Sequence, residues 1–296
     1  MNLDIVKEIT GASVLRAGEF VSLGFLNCTS SPLMLSFAES PRYLPEIRAN
    51  DQLSCLICTR EVAELLDRDL GVVISDLPRQ TFYEFHNWLV RHTEFYRIPR
   101  PSQIDPSAII HPSAVIADHN VIIRKGVYIE PKVVVMPNVT LEDETILRAG
   151  VVVGSQGFQI EAIGKKIIPV EHGGGVLIHE RVELQTYSNV QRSVFNIDTE
   201  IGEETKIDAF VHVGHNVKIG KRCRVAACVM IAGSTTIGDD VWIGPGACLS
   251  TFLHIGDKAS ISLGSVVTKD ISPGERVTGN FAIAHDKFIH FIKSIA

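Results

Sequence analysis

Aliphatic residues recur at every sixth position along most of the chain. From Ile201 the series continues through Ile207, Val213, Ile219, Val225, Ile231, Ile237, Ile243, Leu249, Ile255, Ile261 and Val267, and glycine follows the anchor at 202, 214, 220, 238, 244 and 256. A weaker series holds Ile104, Ile110, Ile116, Ile122, Tyr128, Val134, Thr140, Ile146 and Val152, and a short one holds Ile178, Leu184 and Val190. A break at 154–176 and a one-residue slip in VFNIDTE separate them. A period of six fits neither an amphipathic helix nor a simple alternating strand. It describes a short strand and a tight turn, repeated, with one inward aliphatic per unit. Three units close a triangular coil of 18 residues (three times the period of six), stacked on the next at ~4.8 Å. The anchors then fill the prism as a core.

Residues 1–100 lack the period. Apolar strand-like runs (SCLICT, GVVIS) alternate there with helix-like stretches (EVAELLDRDL, TFYEFHNWLV), which predicts a small α/β domain ending at IPRP, 98–101. The prism is expected over 101–277 with an insertion at 154–177. In the last segment, 278–296, Phe288, Ile289, Phe291, Ile292 and Ile295 fall at helical spacing and predict a short amphipathic helix. The fold class is thus mainly β, a hexapeptide parallel β-helix with an N-terminal α/β domain and a C-terminal α-helix.

Composition narrows the function. Lys+Arg 28 against Asp+Glu 34 gives a formal charge of -6, which argues against nucleic acid as a partner. No stretch reads as a membrane span, since Phe20–Ala38 carries Asn27, Thr29, Ser30, Ser31 and Pro32. The start MNLDIVKEIT has no basic region followed by an apolar one, so a cytoplasmic protein is expected. Of six cysteines, Cys55 and Cys58 form a CxxC without a second pair at zinc spacing; buried thiols are expected.

Four stretches carry a resemblance. SFAESPRY (36–43), VGSQGF (153–158), IDAFVHVGHNVKIG (207–220) and MIAGSTTIG (230–238) resemble the hexapeptide-repeat acyltransferases, nearest to the UDP-3-O-acylglucosamine N-acyltransferases of lipid A synthesis. The resemblance implies a left-handed coil, a homotrimer with active sites between prisms, and acyl transfer from a thioester to the amine of a UDP-linked sugar. No permanently bound cofactor is implied, and no metal; acyl-coenzyme A or acyl carrier protein is the co-substrate.

The residues fit that chemistry. An amine attacking a thioester must lose a proton, and His215, outward at a corner between Gly214 and Asn216, titrates in the range to take it. One coil further on, 215 plus 18 is Gly233, whose bare N–H is placed to hold the oxyanion. The resemblance makes Phe37 and Tyr43 the aromatic pair that stacks on uracil. Ser40 stands where the family has Asn, and Asn216 is a further substrate-binding candidate. Asp208 matches an acid that contacts the sugar; lying on another face of the coil, it is expected to meet His215 only across a subunit boundary. The family's second histidine corresponds to Phe252, leaving His254 as a candidate replacement, and Gln191-Arg192 replaces Asp-Arg.

The stretch 263–283 resembles the end of coenzyme-A-dependent sugar acetyltransferases, which points to Lys269 and Arg276 as phosphate partners and favours a short acyl-coenzyme A donor over long 3-hydroxyacyl carrier protein. Two other readings stand beside this one. One is a non-catalytic sugar-nucleotide-binding scaffold, suggested by Phe252. The other is a γ-type carbonic anhydrase, for which His212, His215 and His254 form the one candidate set, at spacing unlike that family's ligands.

Overall fold

The computed structural model describes residues 1–28, 32–279 and 284–295. Five strands, β1 (Ser13–Arg16), β2 (Ser22–Leu23), β3 (Met34–Ala38), β4 (Leu53–Cys58) and β5 (Gly71–Ile74), form one sheet in the order β1-β5-β4-β3-β2. All neighbours in it are parallel except β1 with β5. The near-continuous apolar runs of β3 and β4 suit central strands covered on both faces. Helices α1 (Asp4–Thr10), α2 (Leu44–Ala49), α3 (Arg60–Glu64) and α4 (Pro78–His92) pack around it. Pro78 occupies the first turn of α4, where its missing N–H costs nothing. Phe82, Phe85 and Leu89 on this helix are fully buried.

Beyond the extended segment that follows α4, the chain winds as a left-handed parallel β-helix with three faces of nine, eight and eight strands. Each coil repeats the last with the anchors in line: Ile207 beside Val225, Val225 beside Ile243, and Ile243 beside Ile261. The two other faces stack Val213, Ile231, Leu249 and Val267, and Ile219, Ile237 and Ile255. Every anchor of this series is buried, as are Ile178, Leu184 and Val190.

The weaker series needs correcting. Ile104, Ile110 and Ile116 lie beside Ile123, Ile129 and Val135, so that coil holds one residue more than eighteen, at the Ala117–Asn120 corner. Beyond it the inward positions are Ile123, Ile129, Val135, Leu141, Leu147 and Val153, all buried. Ile122, Tyr128, Val134, Thr140, Ile146 and Val152 therefore face outward. A one-residue slip exchanges the two faces of a strand.

The 154–177 insertion contains a hairpin, Ile160–Ile163 against Lys166–Pro169, and rejoins the prism at Gly175–Ile178. Side chains of α4 grip its returning arm. Asn87 donates to the Pro169 carbonyl at 2.8 Å and accepts from the Glu171 amide at 2.9 Å. His86 Nε2 meets the Glu171 carbonyl at 2.7 Å, and Arg91 pairs with the Glu171 carboxylate at 2.6 Å. Ile168, Val170, Val194 and Phe195 join the N-terminal core, so insertion, prism and α/β unit share one apolar cluster.

The C-terminal helix, α5 (His285–Ile295), exposes Phe288, Phe291 and Ile292. Residues 280–283 of the acetyltransferase-like stretch and Ala296 lie outside the described residues. No helix among the described residues is long and apolar enough to cross a membrane. Cys55, Cys58 and Cys223 are buried, and burial pushes the Cys58 thiol up to about 12. Cys228 and Cys248 are exposed, against the expectation of buried thiols, because they occupy outward positions of the hexad.

Candidate active site

A cleft of about 540 Å³ opens where the three parts of the chain meet. The N-terminal unit contributes Phe37, Tyr43 and Arg79; the insertion contributes Phe158; the prism contributes His215 and Gly233. It continues into a recess of about 340 Å³ beside Ser36, Asn27 and Glu46, with Phe37, Tyr43 and Arg79 bordering both.

His215 sits on the corner after the strand His212–Val213. It is largely buried beside the cleft that it lines. Its Nδ1 is 3.2 Å from the Asn216 side-chain oxygen, which also accepts the Val194 amide at 2.9 Å. An oxygen that already accepts one N–H is an acceptor for the ring as well, so the imidazole proton belongs on Nδ1 and Nε2 carries the lone pair. Burial lowers the proton affinity of His215 below the ordinary histidine value; the Asn216 hydrogen bond opposes this and nearby His212 adds to it. The ring is therefore a neutral base at neutral pH.

Gly233 lies against that lone pair. A Cβ at 233 would fall 2.6 Å from His215 Cε1 and 2.7 Å from Nε2. The neighbouring Gly214 is equally constrained, because a Cβ there would meet the Gly233 amide nitrogen at 2.7 Å. Among the described residues, the Gly233 N–H donates to no protein acceptor. A base and a glycine whose amide makes no protein hydrogen bond among the described residues thus line the same cleft.

At the other end Phe37 packs on Phe82 at 4.9 Å between centroids while keeping part of its surface on the cleft. Ser36 Oγ is fully buried and has no hydrogen-bond partner among the described residues. Arg79 pairs with Glu39 at 2.5 Å and Glu161 at 3.8 Å and lines both the recess and the cleft that holds His215.

The structure thus gathers His215, Gly233, Phe37 and Tyr43 within one chain. Asn216 stands beside them, but its oxygen is committed to His215 and Val194, which makes it a holder of the base. Ser40 precedes the turn Pro41–Tyr43 and does not line the cleft; Ser36 supplies the free hydroxyl there. Asp208 is exposed at another corner, where it accepts its neighbour Ala209's amide at 2.7 Å.

His254 lies exposed on a flat face of the prism, three residues past Thr251, which lines the cleft, and is not brought to His215. It is thus also separated from His212, which does line the cleft. Phe252 fills the place expected for a second histidine and meets Phe25 edge-on at 6.1 Å. Lys269 and Arg276 are exposed near the C-terminal end, away from the cleft.

The sequence reasoning passed over Arg79, Ser36 and His172. Arg79 directly follows the proline that opens α4, and His172 precedes Gly173–Gly175, the one run of three glycines. A Cβ at Gly174 would lie 1.9 Å from Ser193 Oγ, so that run marks a close approach inside the longest break of the period.

The bacterial transferase hexapeptide family (six repeats) matches residues 120–155 and 198–233. A UDP-3-O-acylglucosamine N-acyltransferase of Delftia acidovorans is 31% identical over 260 residues, covering 84% of this chain and 76% of that protein. One from a Caulobacter species is 38% identical over 137 residues, covering 46% of this chain and 40% of its own length. The solved structure of an Arabidopsis UDP-N-acetylglucosamine acyltransferase is 25% identical, covers 60% of this chain and 71% of that one, and superposes with a TM-score of 0.46.

Proposed function

The chain belongs to the UDP-3-O-acylglucosamine N-acyltransferase family, and from that premise we propose that it moves an acyl group from a thioester to the amine of a UDP-linked amino sugar, in lipid A or related surface-glycan synthesis. The observation that carries this reading is the free Nε2 of His215 against the bare backbone of Gly233, in a cleft whose far end is aromatic.

The uracil stacks at Phe37 and Tyr43, and Arg79 lies on the path a diphosphate takes from there toward His215. The amine nitrogen attacks the thioester carbonyl while His215 Nε2 takes its proton. The Gly233 N–H donates to the oxyanion of the tetrahedral intermediate. Collapse breaks the C–S bond, and the imidazolium returns the proton to the leaving thiolate. Products are the amide and the free thiol. No cysteine among the described residues lines the cleft, which supports direct transfer over a cysteine acyl-enzyme.

Short-chain acyl-coenzyme A is the donor we favour, with Lys269 and Arg276 as partners for its phosphates; long 3-hydroxyacyl carrier protein is the alternative. A homotrimer is proposed as well. Tyr187 and Phe210, 55% and 60% exposed, stack with ring centroids 5.6 Å apart on a prism corner, and Val115, Met230 and Val266 are exposed along the adjoining face. In a trimer these surfaces meet a neighbouring prism, and that is where Asp208 of one protomer would approach His215 of the next.

Phe252 favours one second reading, a scaffold that binds the sugar nucleotide without turnover. A thiol-release assay with acetyl-coenzyme A and acyl carrier protein donors against a panel of UDP-amino sugars separates the two. Release that depends on the amino sugar supports the transferase. Sugar-nucleotide binding with no release from any donor supports the scaffold.

A further inference from the structure

Behind the general base lies a second imidazole that the proposed chemistry does not use. His172, 2% exposed, stands where the insertion returns to the prism. Its Nδ1 donates to the Val170 carbonyl at 3.0 Å, since a carbonyl only accepts, and the proton is thereby fixed on that nitrogen. Nε2 is left as a lone pair, buried and without a partner among the described residues. Such orphans are rare in folded proteins and are kept against a cost.

The ring stands edge-to-face with His215, centroids 5.3 Å apart and planes 78° apart. Both rings converge on the backbone of Gly157. A Cβ there would fall 2.6 Å from His172 Nε2 and 3.0 Å from His215 Cδ2. His172 and the Gly157 backbone therefore stand against the base, Asn216 meets its Nδ1, and its Nε2 is left beside Gly233 at the cleft. His172 itself does not line the cleft and does not reach substrate.

We infer that His172 is a positioning residue, whose uncharged ring shuts water out from behind His215 and holds the base with Nε2 toward Gly233. The inference rests on the transferase reading of His215. Three observations support it. The arm that carries His172 is clamped by Asn87 and Arg91 of α4, so the ring has little freedom. Burial, reinforced by His215 and opposed by the Val170 bond, drives His172 down to about 3, so it stays neutral wherever the base works. The other ionisable groups around the pair are His212, Arg192, Glu171 and His86, and none is bonded to either ring's free nitrogen.

The test uses the full chain carrying His172→Ala, His172→Gln or His172→Phe. Two readouts are taken: the titration of His215 followed by NMR of its ring protons, and the pH profile of kcat/KM. Alanine and glutamine let water reach the base, so its titration point should rise by about 0.5–1 pH unit and the acidic limb of the profile should move with it. The kcat should fall about tenfold while KM for the sugar nucleotide stays within about twofold. Phenylalanine, which restores a ring, should return the titration point to the wild-type value and recover most of kcat. Should the alanine variant not fold, the glutamine variant carries the same expectation. An unmoved His215 titration in the alanine or glutamine variant overturns the inference, as does a phenylalanine variant no better than alanine. Absence of transfer by the wild-type chain would instead count against the transferase reading, and the NMR arm would still decide the role of His172.

Discussion

The Asn216 side-chain oxygen lies 3.2 Å from His215 Nδ1 and takes the Val194 amide at 2.9 Å. Because one oxygen serves both donors, the tautomer of the base is tied to the segment that follows the insertion. Asn216→Ala frees the ring to adopt the other tautomer and leaves the Val194 N–H without its acceptor. Transfer should slow at least tenfold in kcat, and stability should fall by about 1 kcal/mol in a urea titration. Unchanged kcat would mean that the ring is oriented by something else.

Gly233→Ala is the sharpest steric test. Gly233 does not adopt a left-handed backbone, so alanine is tolerated locally. Its methyl group, however, would overlap His215 Cε1 at 2.6 Å. Thermal unfolding should change little while kcat falls about 100-fold, the scale on which an oxyanion donor or its approach matters. A fully active alanine variant would place the oxyanion elsewhere.

At the aromatic end, Tyr43→Ala should raise KM for the UDP-sugar about tenfold and leave kcat within about twofold, since base stacking is worth ~1–3 kcal/mol. Steady-state kinetics with varied sugar nucleotide reads this directly. Tyr43 is preferred over Phe37 because Phe37 also packs on Phe82. A fall in kcat with KM unmoved would be the wrong signature.

His179 makes stability depend on pH. It bridges Glu142 at 2.9 Å and Glu200 at 2.7 Å across adjacent coils. Burial alone would lower its proton affinity, but the hydrogen bonds to Glu200 and Glu142 outweigh that and raise it. A histidine whose folded value is raised stabilises the fold fully below its unfolded value of about 6.5, and the contribution is lost as pH rises through the folded value. The midpoint of thermal unfolding, relative to His179→Gln, should therefore be higher at pH 5.5 than at pH 8.5. A constant difference between the two proteins across that range would remove the ion pairs from the account.

Much of this was readable from spacing, and the exceptions have physical causes. From Ile201 to Val267 every sixth position turns inward and holds an aliphatic side chain, so the period is visible without coordinates. Adding one coil to His215 located Gly233 for the same reason. The Ile122–Val152 register was misread because the Ala117–Asn120 corner holds an extra residue and outward Val134, Ile146 and Val152 are apolar too. His172, Arg79 and Ser36 lie outside the repeat, where no arithmetic says which residues meet. The contacts of Arg79 and of the arm that carries His172 follow from the docking of α4 on the insertion, which only the folded chain displays. Phe252 was legible as a departure, but not as the partner of Phe25.

Quantifying amide product by mass spectrometry with His215→Ala, on the best donor and sugar pair, bears most directly on the central claim. The account predicts that turnover falls at least 100-fold while the UDP-sugar binds with unchanged affinity, and that the remaining activity loses its acidic pH limb. A variant that makes product at the wild-type rate with the same pH profile would contradict it.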